Sequence, residues 1–214
     1  MIFADPKVQA VYEAYEARNA AEAERIRTTG VSGFDFRDEL LLPVGAEVGA
    51  ILHALILGRK PARILELGTS YGYSTLFLAD AARQVGGTVI TMEQADYKQA
   101  EAQRQIAAAG LTDHVEFRLG DAVAMLAEDQ GPFDFVLLDI WKELYLPCFE
   151  AFHPKLADEA IVVADNMIFP PMAREDVRAY RAAVRAKGDM QQALLPIGMG
   201  IEIAVKWPAG SAKL

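Results

Sequence analysis

What this 214-residue chain lacks narrows it before anything it contains does. It has one cysteine, Cys148, so an internal disulfide is excluded, and the chain reads as a protein of a reducing compartment. Cys148 itself reads as a small core hydrophobe. Positive charge is scarce: 21 Lys and Arg stand against 30 Asp and Glu, a net charge of -9. Such a surface repels phosphate backbones, which argues against nucleic acid as a partner. The nearest approach to a basic patch, Arg174, Arg178, Arg181, Arg185 and Lys187, recurs as the wet face of one helix. No apolar run is long enough for a bilayer. The longest, from Val48 to Leu57, contains His53 and is followed by Arg59-Lys60. The opening Met1-Ile2-Phe3-Ala4-Asp5-Pro6 has no basic segment ahead of an apolar stretch, so no signal peptide is read and the expected location is cytoplasmic, off the membrane. Internal repeats and low-complexity segments are absent too.

What is present is ordinary for a globular α/β chain, 52% apolar and 24% charged. A chain of this length buries roughly 70% of its unfolded surface, enough for a self-sufficient core. The expected organisation is one domain over 1–214, with a helical and loop extension over 1–44 and a core over 45–207. Apolar spacing predicts a helix over 5–27 with Val8, Val11, Tyr12 and Tyr15 on one face, then a loop over 28–44 around Gly30, Gly33 and Pro43. A second amphipathic helix begins at Ala46. From Arg63 the chain alternates. Strands are expected at 63–67, 88–92, 115–119, 133–139 and 160–164. Helices are expected at 73–85, 95–109, from Asp121, at 143–156 and at 173–187. The run Phe135-Val136-Leu137-Leu138 is apolar on both faces, as a buried parallel strand requires. The last two strands, 190–197 and 201–207, are joined only by Gly198-Met199-Gly200, which permits nothing but an antiparallel hairpin. The fold predicted is α/β: a doubly wound, mostly parallel seven-stranded sheet with an antiparallel C-terminal hairpin. Ligands of such sheets bind outside the carboxyl ends of the strands.

Three features at those ends point to an adenosine-bearing ligand. The first strand carries Glu66 and runs into Gly68-Thr69-Ser70-Tyr71-Gly72 and a helix, a turn that lets backbone approach a ligand. Glu93, 25 residues past Gly68 at the end of the second strand, can accept from both hydroxyls of a ribose. Asp121, after the third, can accept from an adenine amino group. A dinucleotide would want Gly-x-Gly-x-x-Gly, but position 70 is Ser, and Tyr71 and Tyr73 crowd a pyrophosphate. S-adenosylmethionine (SAM) has no pyrophosphate. At the ends of strands four and five stand Asp139 and Asp165-Asn166, an all-oxygen set that suits a hard divalent cation such as Mg²⁺. Taken singly, each aspartate also reads as a helix cap or a turn residue. Lys142, three residues past Asp139, would sit beside them as a base. Trp141 offers a flat wall to an aromatic ring, and Leu42, Pro170, Pro171, Met172 and Met199 an apolar rim.

The run Leu138-Asp139-Ile140-Trp141-Lys142-Glu143-Leu144-Tyr145-Leu146-Pro147, with Asp165-Asn166 later, resembles the metal-dependent catechol and caffeoyl-CoA type O-methyltransferases. Ile64-Leu65-Glu66-Leu67-Gly68 followed by Gly72-Tyr73-Ser74 resembles the cofactor motif of the same family, a Rossmann-like methyltransferase fold, and Pro43-Val44-Gly45 its upstream segment. The likeness covers about residues 40–207. It implies that Asp139, Asp165 and Asn166 hold Mg²⁺, that a small aromatic substrate chelates the metal through two vicinal hydroxyls, and that Lys142 deprotonates one of them. It also implies that Glu93 binds the ribose and that Val44, Gly68, Tyr73 and Ser74 line the methionine end of SAM, with Glu66, Gly72, Asp121 and Asp139 completing the cofactor site. Two positions depart from the family: Ile140 stands where a His is usual, and Glu202 is the nearest acid to the glutamate expected by the terminal hairpin. An NAD-linked oxidoreductase and a SAM-binding protein without turnover are the alternatives. The amphipathic N-terminal helix is available to cover the active site or to pack on a second subunit of a homodimer.

Overall fold

The computed structural model describes residues 2–29 and 38–208; Gly30 and Gly33 of the expected N-terminal loop lie outside them. Strands β1 (Arg63–Leu67), β2 (Thr88–Glu93), β3 (Val115–Leu119), β4 (Phe133–Leu138) and β5 (Leu156–Ala164) pair in parallel. The hairpin β6 (Met190–Leu195) and β7 (Ile201–Lys206) closes the sheet, with β7 antiparallel beside β5. The strand order is β3-β2-β1-β4-β5-β7-β6. This is the doubly wound sheet with an inverted last strand that the alternating pattern predicts.

The unbroken apolar runs follow from burial on both faces. Successive side chains of a strand point to opposite sides. Ile64, Phe135, Leu137 and Val163 therefore pack into one core, with α1 (Pro6–Thr29), α2 (Ala46–Arg59), α3 (Tyr73–Val85) and α4 (Asp96–Ala108). Leu65, Leu67, Val136, Leu138 and Val162 pack into the other, with α5 (Ala122–Glu128), α6 (Tyr145–Phe152) and α7 (Arg174–Lys187). Each such Leu or Ile, fully buried, contributes roughly 1.5–3 kcal/mol relative to exposure. Cys148 is a buried member of the second core. Among the described residues no helix is long and apolar enough to cross a membrane.

The fourth and fifth units differ from expectation. The helix expected over 143–156 is α-helical only from Tyr145 to Phe152, and β5 begins at Leu156, four residues before the expected strand. Leu156 pairs with Phe133, and the register then shifts before Phe135 pairs with Ile161. Asp158 and Glu159 occupy the irregular stretch. Glu159 has left-handed φ (60°), and Arg59 donates to the carbonyls of both. Two charges inside a strand hide its start from a pattern of apolar residues.

Candidate functional site

The chain leaves β1 for β2 on one side, and β4 lies on the other, so the crevice of the sheet opens at the carboxyl end of β1. Gly68 turns the chain there with φ 99°. A Cβ on Gly68 would lie 2.0 Å from the carbonyl oxygen of Asp139, so only glycine lets the loop lie against the end of β4. Beneath the loop Glu66 is fully buried. Its carboxylate accepts from Ser74 Oγ, Thr75 Oγ1 and Thr91 Oγ1, each at 2.6 Å. Burial nevertheless pushes its carboxyl up to about 7, the three hydroxyls pulling it back. Glu93 closes the loop from the far side. Its Oε2 accepts from Ser70 N at 2.8 Å, and its Oε1 from Gln94 N and Ala95 N at 2.9 Å.

The other residues expected at the cofactor lie around this frame or behind it. Val44 is buried two residues before α2, and its carbonyl lies 3.6 Å from the position a Cβ on Gly198 would take. Asp121 caps α5, accepting from Ala124 N at 2.8 Å. Gly72 opens α3 in the left-handed region. Tyr73 lies behind the loop: its ring packs with Tyr12, Tyr15 and Phe77, and its hydroxyl donates to Glu16 Oε1 at 2.7 Å. The side chains of Glu66, Tyr73 and Ser74 thus bond to the protein itself.

Across the crevice, Leu67 pairs with Leu138 and Leu138 with Ala164, so Asp139 and Asp165 end neighbouring strands at the same height. Their amides extend the ladders, Asp139 N to Leu67 O at 3.0 Å and Asp165 N to Leu138 O at 3.1 Å. Asn166 follows with φ 53°. Lys142 points among them. Its Nζ donates to Asn166 Oδ1 at 2.8 Å, Tyr145 Oη at 2.5 Å and Ile140 O at 3.2 Å, and lies 3.9 Å from Asp139 Oδ1. Burial holds the ammonium below its usual range, against the pull of Asp139 and Asp165. Burial also raises Asp139, and together with repulsion from Asp139 it pushes Asp165 up to about 7. Asp165 Oδ1 is buried with no hydrogen-bond partner. Tyr145 has no role in the expected site. Fully buried, it accepts from Lys142 while its hydroxyl lies 2.9 Å from Leu138 O and 2.8 Å from Asp165 O, bracing both strand ends.

The donor set fits a hard cation in kind: two carboxylates and one amide oxygen, with one carboxylate oxygen otherwise uncompensated. No group of three or more His, Cys, Asp or Glu able to hold a metal occurs among the described residues, so any cation here depends on Asn166 as its third protein ligand. Trp141, Leu42 and Met199 are about half exposed, as are Ile168 and Phe169. Ile168 N and Phe169 N both donate to Met199 O, and a Cβ on Gly200 would lie 2.5 Å from Ile168 Cγ1, so the loops after β5 and β6 are locked together. Glu202 does not join them. It is buried in β7 and turns its carboxylate to Arg181 Nε of α7 at 2.5 Å. A cavity of about 430 Å³ beside Arg63, Arg118 and Asp129 opens at the opposite, amino end of the sheet and contains none of the expected site residues.

Strain marks the same edge. Of the five non-glycine residues with left-handed φ among the described residues, Leu42, Ser70 and Asn166 border the crevice.

With this geometry in hand, comparison with known proteins is direct. Residues 65–167, from β1 to just past β5, match the methyltransferase-domain family. The chain is 33% identical over 171 residues to Probable O-methyltransferase Rv1703c of Mycobacterium tuberculosis, covering 75% of this chain and 70% of that protein. It is 36% identical over 131 residues to a catechol O-methyltransferase of Niastella koreensis, covering 59% of each. A solved O-methyltransferase of Streptomyces achromogenes, in complex with SAM and involved in tomaymycin synthesis, superimposes with a TM-score of 0.73 at 25% identity, covering 90% of this chain and 98% of that one. The seven-stranded sheet, the glycine loop at its switch point and these likenesses agree: the chain belongs to the class I SAM-dependent O-methyltransferases.

Proposed function

We propose that the methyl acceptor is a small aromatic with two vicinal hydroxyls, and that a divalent cation, Mg²⁺ by the hardness of its ligands, is held by Asp139, Asp165 and Asn166. The observation that carries this reading is the buried, unpartnered Oδ1 of Asp165, on a carboxylate that Asp139 repels and whose Oδ2 accepts from Asn166 Nδ2 at 3.1 Å. An isolated buried carboxylate oxygen is costly and is ordinarily compensated by a cation or a donor. The catechol O-methyltransferase among the relatives supports the acceptor class.

In this reading the loop 68–72 and Val44 hold the methionine end of SAM. Glu93, already fixed by three backbone amides, turns its remaining lone pairs to the ribose, and Asp121 offers its free oxygen to the adenine. Glu66, Tyr73 and Ser74 hold the loop in shape. A cation bound to the two aspartates and Asn166 would favour the ionised form of a neighbouring hydroxyl. Trp141, Leu42 and Met199 flank the aromatic ring. Lys142, its ammonium destabilised by burial, gives up a proton to solvent and then takes one from the acceptor hydroxyl. The acceptor oxygen's electron pair forms the new bond to the methyl carbon as the carbon–sulfur bond breaks onto sulfur, leaving a neutral thioether. The chain's main contribution is to hold oxygen and methyl in line.

The reading is tested with paired acceptors, catechols against the matching monohydroxylated rings, in the presence of Mg²⁺. Methyl transfer to the catechols alone is expected. Equal rates on both members of each pair would overturn it.

A further inference from the structure

The N-terminal helix α1 packs on α3 and α4 of its own chain, yet its polar contacts reach somewhere more specific. Tyr15, fully in the core, donates its hydroxyl to the carbonyl of Tyr71 at 2.6 Å. One turn later Arg18 lays its guanidinium 4.0 Å over the Tyr71 ring and donates from Nη2 to Glu39 O at 2.8 Å. Its Nε binds Glu22 Oε1 at 2.6 Å, and the other oxygen of Glu22 accepts from Leu41 N at 2.8 Å. The Tyr71 hydroxyl completes the ring of contacts by donating to Asp38 O at 3.0 Å. Residues 15, 18 and 22 lie on one helix face, which is why three side chains converge on one spot.

The two things gripped are the two walls of the crevice. Tyr71 is the fourth residue of the loop Gly68–Gly72, one residue past Ser70, whose amide is fixed on Glu93. The segment 38–41 has no strand or helix of its own and leads directly into Leu42, left-handed at φ 47°, and Val44. Three hydrogen bonds and one cation–ring contact therefore join α1 to the two walls, the Arg18–Glu22 pair braces them from within the helix, and the Tyr71 hydroxyl ties one wall to the other. A cation over an aromatic face and a charge-assisted bond to a carbonyl each hold geometry more firmly than apolar contact alone.

We infer that Arg18 is a positioning residue for SAM: it acts through Tyr71 and Glu39 to fix the distance between the cofactor loop and the Leu42–Val44 segment, with Tyr15 as its second anchor. This rests on the reading that the loop and Glu93 hold the cofactor. The guanidinium itself touches neither reactant, so its signature is a split between binding and turnover. A loop free to move would weaken SAM binding, while the chemistry at Lys142, across the crevice, would proceed at saturation.

The test is calorimetric titration of SAM into the full chain and its Arg18→Met, Tyr15→Phe, Arg27→Met and Glu93→Ala variants, with kcat measured at saturating SAM. Arg18→Met is expected to weaken SAM about tenfold and Tyr15→Phe about fivefold, with kcat within twofold of the parent. Arg27, exposed and paired among the described residues with Glu24, is expected to change neither. A SAM affinity within twofold of the parent in the Arg18 and Tyr15 variants, or a loss in kcat at unchanged affinity, overturns the inference. If Arg18→Met fails to fold, Tyr15→Phe, which keeps the buried ring, decides alone. Glu93→Ala separates the two levels. Its retaining full affinity would sink the underlying cofactor reading, whereas its losing affinity while Arg18→Met does not would sink only the role of α1.

Discussion

The two halves of the crevice are built on opposite plans. In the half formed by β1, β2 and β3, each carboxylate is held by the chain: Glu66 by three hydroxyls, Glu93 by three amides and Asp121 by one. In the half formed by β4, β5 and the hairpin, Asp165 keeps an oxygen without a partner, Lys142 is a cation in a buried place, and large apolar side chains face solvent. The first half is finished by the chain itself and is suited to one invariant ligand. The second gathers charges that oppose one another and a rim of half-exposed apolar side chains, which is what a site for chemistry and for a variable acceptor requires.

The sharpest break in this contrast is Gly68→Ala, because Gly68 is where the halves touch. The added methyl would meet the Asp139 carbonyl at 2.0 Å on a backbone of positive φ. We expect measurable SAM binding and activity both to disappear, read by calorimetry and methyl-transfer assay. Lys142→Met should separate the halves instead: kcat falls by about 10³-fold, within the range of a lost general base, while SAM affinity stays within twofold. The next effect is the pH dependence of the acceptor half. Asp165 is pushed up to about 7, so below that pH a proton occupies the carboxylate. The Mg²⁺ concentration for half-maximal rate should rise about tenfold per pH unit as pH falls below about 7 and level off above it. Met199→Ala is the mildest: losing about 1 kcal/mol of apolar contact raises the acceptor KM about fivefold without changing kcat or SAM binding.

How much of this was legible in the sequence divides along the same line. β1 and α3 begin and end where periodicity puts them, because β1 is buried on both faces and α3 is bounded by glycine at each end. The start of β5 was not legible, since Asp158 and Glu159 sit in a strand that local pattern reads as a break. The residues Asp139, Lys142, Asp165 and Asn166 were legible as strand-end polar groups, and the fold brings them together. Tyr145 was not, although a lone hydroxyl in an apolar Leu-Tyr-Leu run three residues after Lys142 was a usable signal. Tyr73 shows the reverse: placed by its motif at the cofactor, its hydroxyl instead goes to Glu16. Arg18 and Tyr15 lay beyond reach, because their partners are set by tertiary packing across 21 and 56 residues of sequence.

The account stands most directly on the cation. Methylation of a catechol should be measured before and after chelation with EDTA, then after Mg²⁺ is restored, with SAM affinity followed alongside. The account predicts that activity falls to background in EDTA and returns with Mg²⁺ while SAM affinity is unmoved. Undiminished activity in EDTA would contradict it.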